Sequence, residues 1–245
     1  MLTWRELKIK YKQSIMGFMW AILMPILIIA AGILVKFAFA KLSGSPLTLT
    51  QVATVSVKAL PWSFFISSIR FATSSLVGNG SLVTKIYFPR EIFPFSAVLS
   101  QLCDFVIASC MLVIVLVIGQ IGLSIHIIWV PLLLILLILW TTSLCVLFSA
   151  INLFFRDVKY LVEVLVTFAI FFTPVFYEAD LAGRWKWVLL LNPVAPILEG
   201  LNSCVVLRRA PEISWISYSA VISLVAIYLA LALFKKLEPK FAESI

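Results

Sequence analysis

The sequence has few of the residues from which a water-soluble surface is built. Of its 245 residues only 12% are charged, against 63% hydrophobic, and the mean hydropathy is +1.13. A soluble fold of this length needs far more polar side chains outside, whereas a bilayer solvates apolar exteriors directly. The shortage of charge therefore places residues 1–245 in the membrane as a single domain. Histidine is nearly missing as well. His126, the only one, sits in a short turn between apolar runs. Asp104 and Glu163 have no neighbouring motif that would define a nucleophile and its base, so the chain does not read as an enzyme. The four cysteines, Cys103, Cys110, Cys145 and Cys204, show no CxxC spacing and read as small apolar packing groups. Cys103 and Cys110 can share a helix face, but two thiols without a nearby histidine make a poor metal site. A GxxxxGK[ST] phosphate loop is absent too, which leaves no recognisable cradle for ATP phosphates in this chain.

What charge there is carries a sign. The formal net charge is +8, but the basic residues stand at the ends of apolar runs. That is the pattern of membrane topology and anionic headgroups, not of a nucleic-acid-reading face. The first basic cluster, with an apolar run and Ala38-Phe39-Ala40 behind it, imitates a secretory signal. Yet Phe18 to Ala40 is about 23 residues, roughly 34 Å as a helix, against 7 to 15 for a signal core. It reads as an uncleaved first span. Ahead of it, within residues 1–16, Trp4, Leu7 and Tyr11 recur at helical spacing beside Arg5, Lys8 and Lys12, predicting an amphipathic helix on the membrane surface.

Apolar stretches predict six membrane-spanning helices: Phe18 to Ala40, Lys58 to Gly78, Phe95 to Gly119, Ile127 to Ile151, Tyr160 to Tyr177 and Ile213 to Phe234. The fold class expected is an all-α integral membrane protein. Six spans put both termini on one side, together with Lys85, Arg90, Arg156, Lys159, Lys235, Lys236 and Lys240. The other side holds Lys41, Lys58, Arg184, Lys186, Arg208 and Arg209, so the bias predicts cytoplasmic termini.

Two connections carry more than a loop needs. Residues 79–95 mix Lys85, Arg90 and Glu91 with Tyr87, Phe88 and Phe93 around Pro89. Pro89 suits the first turn of a short helix, and the aromatics suit either a partner's groove or the headgroup region. Residues 178–212 place Trp185 and Trp187 beside Arg184 and Lys186, then short apolar runs broken by Asn192-Pro193. Those runs are too short to span and predict re-entrant or interfacial helices, readable as an external gate or as simple interfacial packing.

The run Arg5-Glu6-Leu7-Lys8 through Tyr11-Lys12-Gln13-Ser14, with Gly17, Trp20 and Pro25, resembles the start of the polysaccharide-exporting permeases of the ATP-binding-cassette superfamily. Lys85-Ile86-Tyr87-Phe88-Pro89-Arg90-Glu91 resembles their cytoplasmic signature between spans two and three. Asn152 through Val158 resembles the turn before span five, Thr173-Pro174-Val175 its end, and Asn192-Pro193 the external segment. The resemblance covers nearly the whole chain and implies a six-span subunit of the inner membrane. That subunit would pair with a second copy of itself and with two separate ATPase subunits that carry ATP and Mg. It further implies export of a lipid-linked polysaccharide, foremost O-antigen, with teichoic acid or capsule as alternatives. Coupling to the ATPase would fall to Arg5, Lys85, Tyr87, Phe88, Pro89, Arg90 and Glu91.

A sugar chain needs a route lined by aromatic faces with few hydrogen bonds. The candidates are Trp20, Phe64, Phe65 and Phe71, then Phe168, Phe171, Phe172, Phe176 and Tyr177. Phe168, Phe172 and Phe176 repeat every four residues and so share one helix face, which lines either a channel or ordinary packing. Arg70, costly within a span, is expected to meet a cargo diphosphate or to pair with Asp104 or Glu163. A secondary transporter or channel is the rival class, but few ionisable groups lie within the spans and no duplicated half is evident.

Overall fold

In lipid a single segment satisfies its own backbone polar groups only as a helix, and the apolar runs obey that constraint. The computed structural model describes residues 3, 17–44, 46, 48–80, 89–118, 120, 122 and 124–241, and every regular element among them is helical. In chain order these are α1 (Gly17–Ser43), α2 (Leu49–Thr73), the single turn α3 (Ser75–Gly78), α4 (Ile92–Ile118) and α5 (Val130–Phe154). They continue with α6 (Val158–Phe172), α7 (Lys186–Leu190), α8 (Val194–Val205) and α9 (Ile213–Leu237). Short 3-10 helices occupy Ile125–Trp129, Ala179–Trp185 and Glu238–Lys240. The amphipathic helix expected within residues 1–16 lies, Thr3 apart, outside the described residues, as do Arg5, Lys85, Tyr87 and Phe88.

Among the described residues four helical stretches are long and apolar enough to cross a membrane: Leu49–Thr73, Ile92–Ile114, Ile125–Phe154 and Ile213–Lys240. A fifth arises if Gly183–Leu190 and Val194–Val205, bent by 113° at the break between them, count as one. The expected six is therefore not reached by length and composition. Helix α1 runs 27 residues, but its apolar stretch among the described residues is Ile22–Ala38. Helix α6 has 15 residues, about 22 Å at 1.5 Å per residue.

The boundaries of two spans also moved, for local reasons. The second begins at Leu49, not Lys58, because Thr48 and Gln51 form a capping box, each side chain bonding the other's backbone N–H at 3.3 Å. Thr50, Gln51 and Thr54 dilute the first turns enough to hide them from an apolar count. The fifth ends at Phe172, not Tyr177, because Pro174 drives its predecessor out of the helical region. Thr173 is accordingly extended, at φ −118° and ψ 132°.

Helix α9 lies along α5, and α2 packs on α1, α4 and α5, with α8 wedged against both α2 and α5. The main core gathers Trp62, Phe64, Leu133, Leu137, Ile197 and Leu198. A second cluster, with Leu76, Phe93, Leu153, Phe234 and Phe241, closes one end of the bundle. At that end Asn152 donates to the Thr73 carbonyl at 2.9 Å and accepts from the Lys159 N–H at 3.0 Å, joining α2, α5 and the start of α6. The segment 178–212 lies at the opposite end.

Candidate functional site

Lys58 sits nine residues into α2, roughly 13 Å from its first residue by helical rise. It is completely buried, with 0% of its side chain exposed. Its ammonium donates to the Tyr177 carbonyl at 2.6 Å and pairs with Glu199 Oε1 of α8 at 3.1 Å. The same carboxylate oxygen accepts the Ala179 N–H at 2.9 Å. One ion pair thus ties α2, α8 and the stretch of chain leaving α6. A buried ammonium needs such company, since an uncompensated buried charge is costly; Glu199 itself keeps 22% of its side chain exposed. Sequence reasoning used Lys58 only as a flanking charge and passed over Glu199. The available signal was two opposite charges, each isolated in a weakly polar run, that neither water nor lipid would hold alone.

The rest of the 178–212 segment is fastened at both sides. The Asn192 amide donates to Thr173 Oγ1 at 2.9 Å, which brings together the Thr173-Pro174 and Asn192-Pro193 motifs. Tyr218 and Ser219 of α9 donate to the carbonyls of Leu191 and Pro193. Lys186 bridges Asp180 at 2.9 Å and Glu212 at 2.8 Å. The hydrogen bond from its ammonium holds the Asp180 carboxyl below the usual carboxylate range. Trp185 and Trp187 are exposed. A cleft lined by Asp180, Lys186, Glu199, Arg209, Glu212 and Trp215 has a volume of about 30 Å³, room for one or two waters. A sugar ring does not fit it as it stands.

The aromatic candidates separate into two groups. Phe64 and Phe65 are buried, packing on Phe105 and Trp62 with ring centroids 5.4 and 5.3 Å apart. Phe71, Phe168, Phe171 and Phe172 are exposed, as is Arg70. Arg70 donates to Thr167 Oγ1 at 2.9 Å, and that hydroxyl donates to the Glu163 backbone carbonyl at 2.7 Å. Arg70 thus meets α6 through a hydroxyl within its length, not through an acidic partner. Phe176 is half-buried against α1, where a Cβ on Gly32 would come within 2.6 Å of its ring. Tyr177 donates from its hydroxyl to the Phe171 carbonyl at 3.0 Å. Trp20 lies in α1, its side chain outside what is described.

At the other end Arg90 donates from its guanidinium to the Glu238 carbonyl and lies over the Phe241 ring, 5.9 Å from its centroid. Pro89 is exposed, and one carboxylate oxygen of Glu91 is buried with no hydrogen-bond partner among the described residues. Arg90 therefore fixes the described end of this segment to the end of the last helix, a contact sequence alone did not suggest. Among the described residues no group of three or more His, Cys, Asp or Glu side chains could hold a metal ion.

Residues 1–206 match the ABC-2 type transporter family. The O-antigen export system permease protein RfbA of Myxococcus xanthus is 30% identical over 249 aligned residues, covering 100% of this chain and 94% of the relative. Two Klebsiella pneumoniae proteins of the same name are each 25% identical over 244 residues, 99% of this chain and 92% of the relative. With its long apolar helices and these full-length relatives, the chain belongs to the ABC-2 type transporter family, as the multi-pass membrane subunit of an ABC exporter that works with an ATP-binding partner.

Proposed function

We propose that the chain exports a lipid-linked polysaccharide, foremost O-antigen, across the inner membrane, as one of two identical permease subunits driven by two separate ATPase subunits that bind ATP and Mg. The observation that carries this reading is the end-to-end match to permeases named for O-antigen export. The exposed strip of Arg70, Phe71, Phe168, Phe171 and Phe172 supports it. That strip combines aromatic faces that stack on sugar rings with one cation for a diphosphate. Facing its counterpart on a second copy, it would line the route. Phe64 and Phe65 would brace it from behind, while Phe176, Tyr177 and Trp20 flank it.

Six crossings are the reading adopted, with α1 and α6 completing the four long helices. Between Lys159, bonded at the Asn152 end, and Ala179, bonded at Glu199, the chain passes from one end of the bundle to the other. Both termini are taken as cytoplasmic, supported by Arg90, Arg156, Lys159, Lys235, Lys236 and Lys240 falling towards one end. Residues 79–95, with Lys85, Tyr87, Phe88, Pro89, Arg90 and Glu91, would dock on the ATPase beside the interface helix of residues 1–16 and Arg5. Residues 178–212, with Trp185, Trp187, Asn192 and Pro193, would close the outer end.

The test is genetic and biochemical together. In a strain lacking its own O-antigen permease, the chain is expressed with its ATPase, and surface glycan is quantified while copurifying proteins are identified. Surface glycan that disappears when the ATPase is inactivated, with a phosphate-loop ATPase copurifying, is the expected result. An ATPase that copurifies without any surface glycan would reject this cargo and turn attention to teichoic acid or capsule.

A further inference from the structure

We infer that Lys58 and Glu199 form a latch that seats α8 on α2, so that opening the outer segment requires this ion pair to part. The inference rests on reading residues 178–212 as the outer closure. It starts from the way the contacts of α8 are distributed. At its first turn the chain is pinned twice, by Asn192 on Thr173 and by Ser219 on the Pro193 carbonyl. Along its length the contacts are apolar, with Ile197, Leu198 and Leu201 in the core. The Leu133 methyls lie 3.2 Å from where a Cβ on Gly200 would stand. Such contacts do not fix a register, because dispersion has little direction.

Direction is supplied at Glu199, where one oxygen takes both the Lys58 ammonium and the Ala179 N–H. Asn202 and Ser203, three and four residues later, are also buried, and among the described residues both amide atoms of Asn202 are without partners. The seat therefore meets one polar group strongly and leaves the next unmet. Parting the pair would leave α8 hinged at Asn192-Pro193, with its far half free to lift. Cys204 lies in that half and is wholly buried, which makes it a built-in reporter.

The experiment uses the permease with its ATPase subunits in nanodiscs. Cys103, Cys110 and Cys145 are replaced by alanine, Cys204 is kept, and its labelling by a polar maleimide is timed. Lys58→Met and Glu199→Gln are each expected to speed labelling at least tenfold, with Lys58→Arg close to the parent. The double variant Lys58→Met/Glu199→Gln guards against simple misfolding. Removing both charges relieves the penalty of a lone buried one, so its thermal stability recovers towards the parent while Cys204 stays reactive. Parental labelling rates in the assembled double variant would overturn the latch. Faster labelling with unchanged glycan export would uphold the latch and reject the closure reading on which it rests.

Discussion

Asn202 is wholly buried in α8, and among the described residues neither the oxygen nor the nitrogen of its amide has a hydrogen-bond partner. A buried polar group left unmet costs on the order of 1–3 kcal/mol. Asn202→Val removes that cost with a smaller change in volume than leucine would bring. The purified protein is expected to gain about 1–3 kcal/mol in thermal stability, followed by unfolding in mild detergent. If the amide finds its partners when α8 moves, glycan export falls in the same variant. A stability gain without loss of export would mark Asn202 as a packing defect only. Residues of this kind are where sequence reading stopped. Arg70 draws attention in the sequence because a charge stands out in a span, though its partner Thr167 does not, whereas Lys58 reads as a flank and Glu199 as part of a connection. Their pairing joins positions 141 apart in sequence, a contact that no local pattern encodes.

At the level of elements, what sequence made visible was the apolar run, and what it missed was the cap. The long helices α4, α5 and α9 were placed within a few residues, because some 20 apolar residues leave lipid as the only solvent. The start of α2 and the end of α6 were missed, set as they are by the Thr48–Gln51 capping box and by Pro174. Helix contacts were less legible still. Gly32 permits a close approach between helices, and the groups it approaches belong to this chain. A Cβ there would stand 2.5 Å from Val55 of α2 and 2.6 Å from the Phe176 ring. Gly32→Ala is therefore expected to push α1 off α2 and destabilise the protein by about 1–3 kcal/mol, read as a lower unfolding temperature. An unchanged unfolding temperature would mean that α1 and α2 separate at no cost, contrary to this packing.

Across the whole molecule, the two ends of the bundle are built differently. One is held by buried Lys58 paired with the part-exposed Glu199, the other by Arg90 bound to the end of α9 and by the aromatic contacts of Phe154, Phe234 and Phe241. Force applied near Arg90 reaches the last helix directly, and through it α5, along which α9 lies. Arg90→Glu is expected to leave insertion and ATP hydrolysis intact while lowering export at least tenfold. Arg90→Lys keeps the charge but loses the planar fork, so it should fall between. Normal export by Arg90→Glu would remove this contact from the coupling route.

The shortness of α6 bears on the membrane itself. Its 15 residues reach about 22 Å, against a hydrocarbon thickness of about 30 Å. A bilayer meeting so short an apolar wall relieves the hydrophobic mismatch by thinning beside it. Where the flank of α6 outside the Phe168, Phe171 and Phe172 face meets lipid, as the six-crossing reading has it, a polar headgroup would then have roughly a quarter less oil to cross than in an undisturbed bilayer.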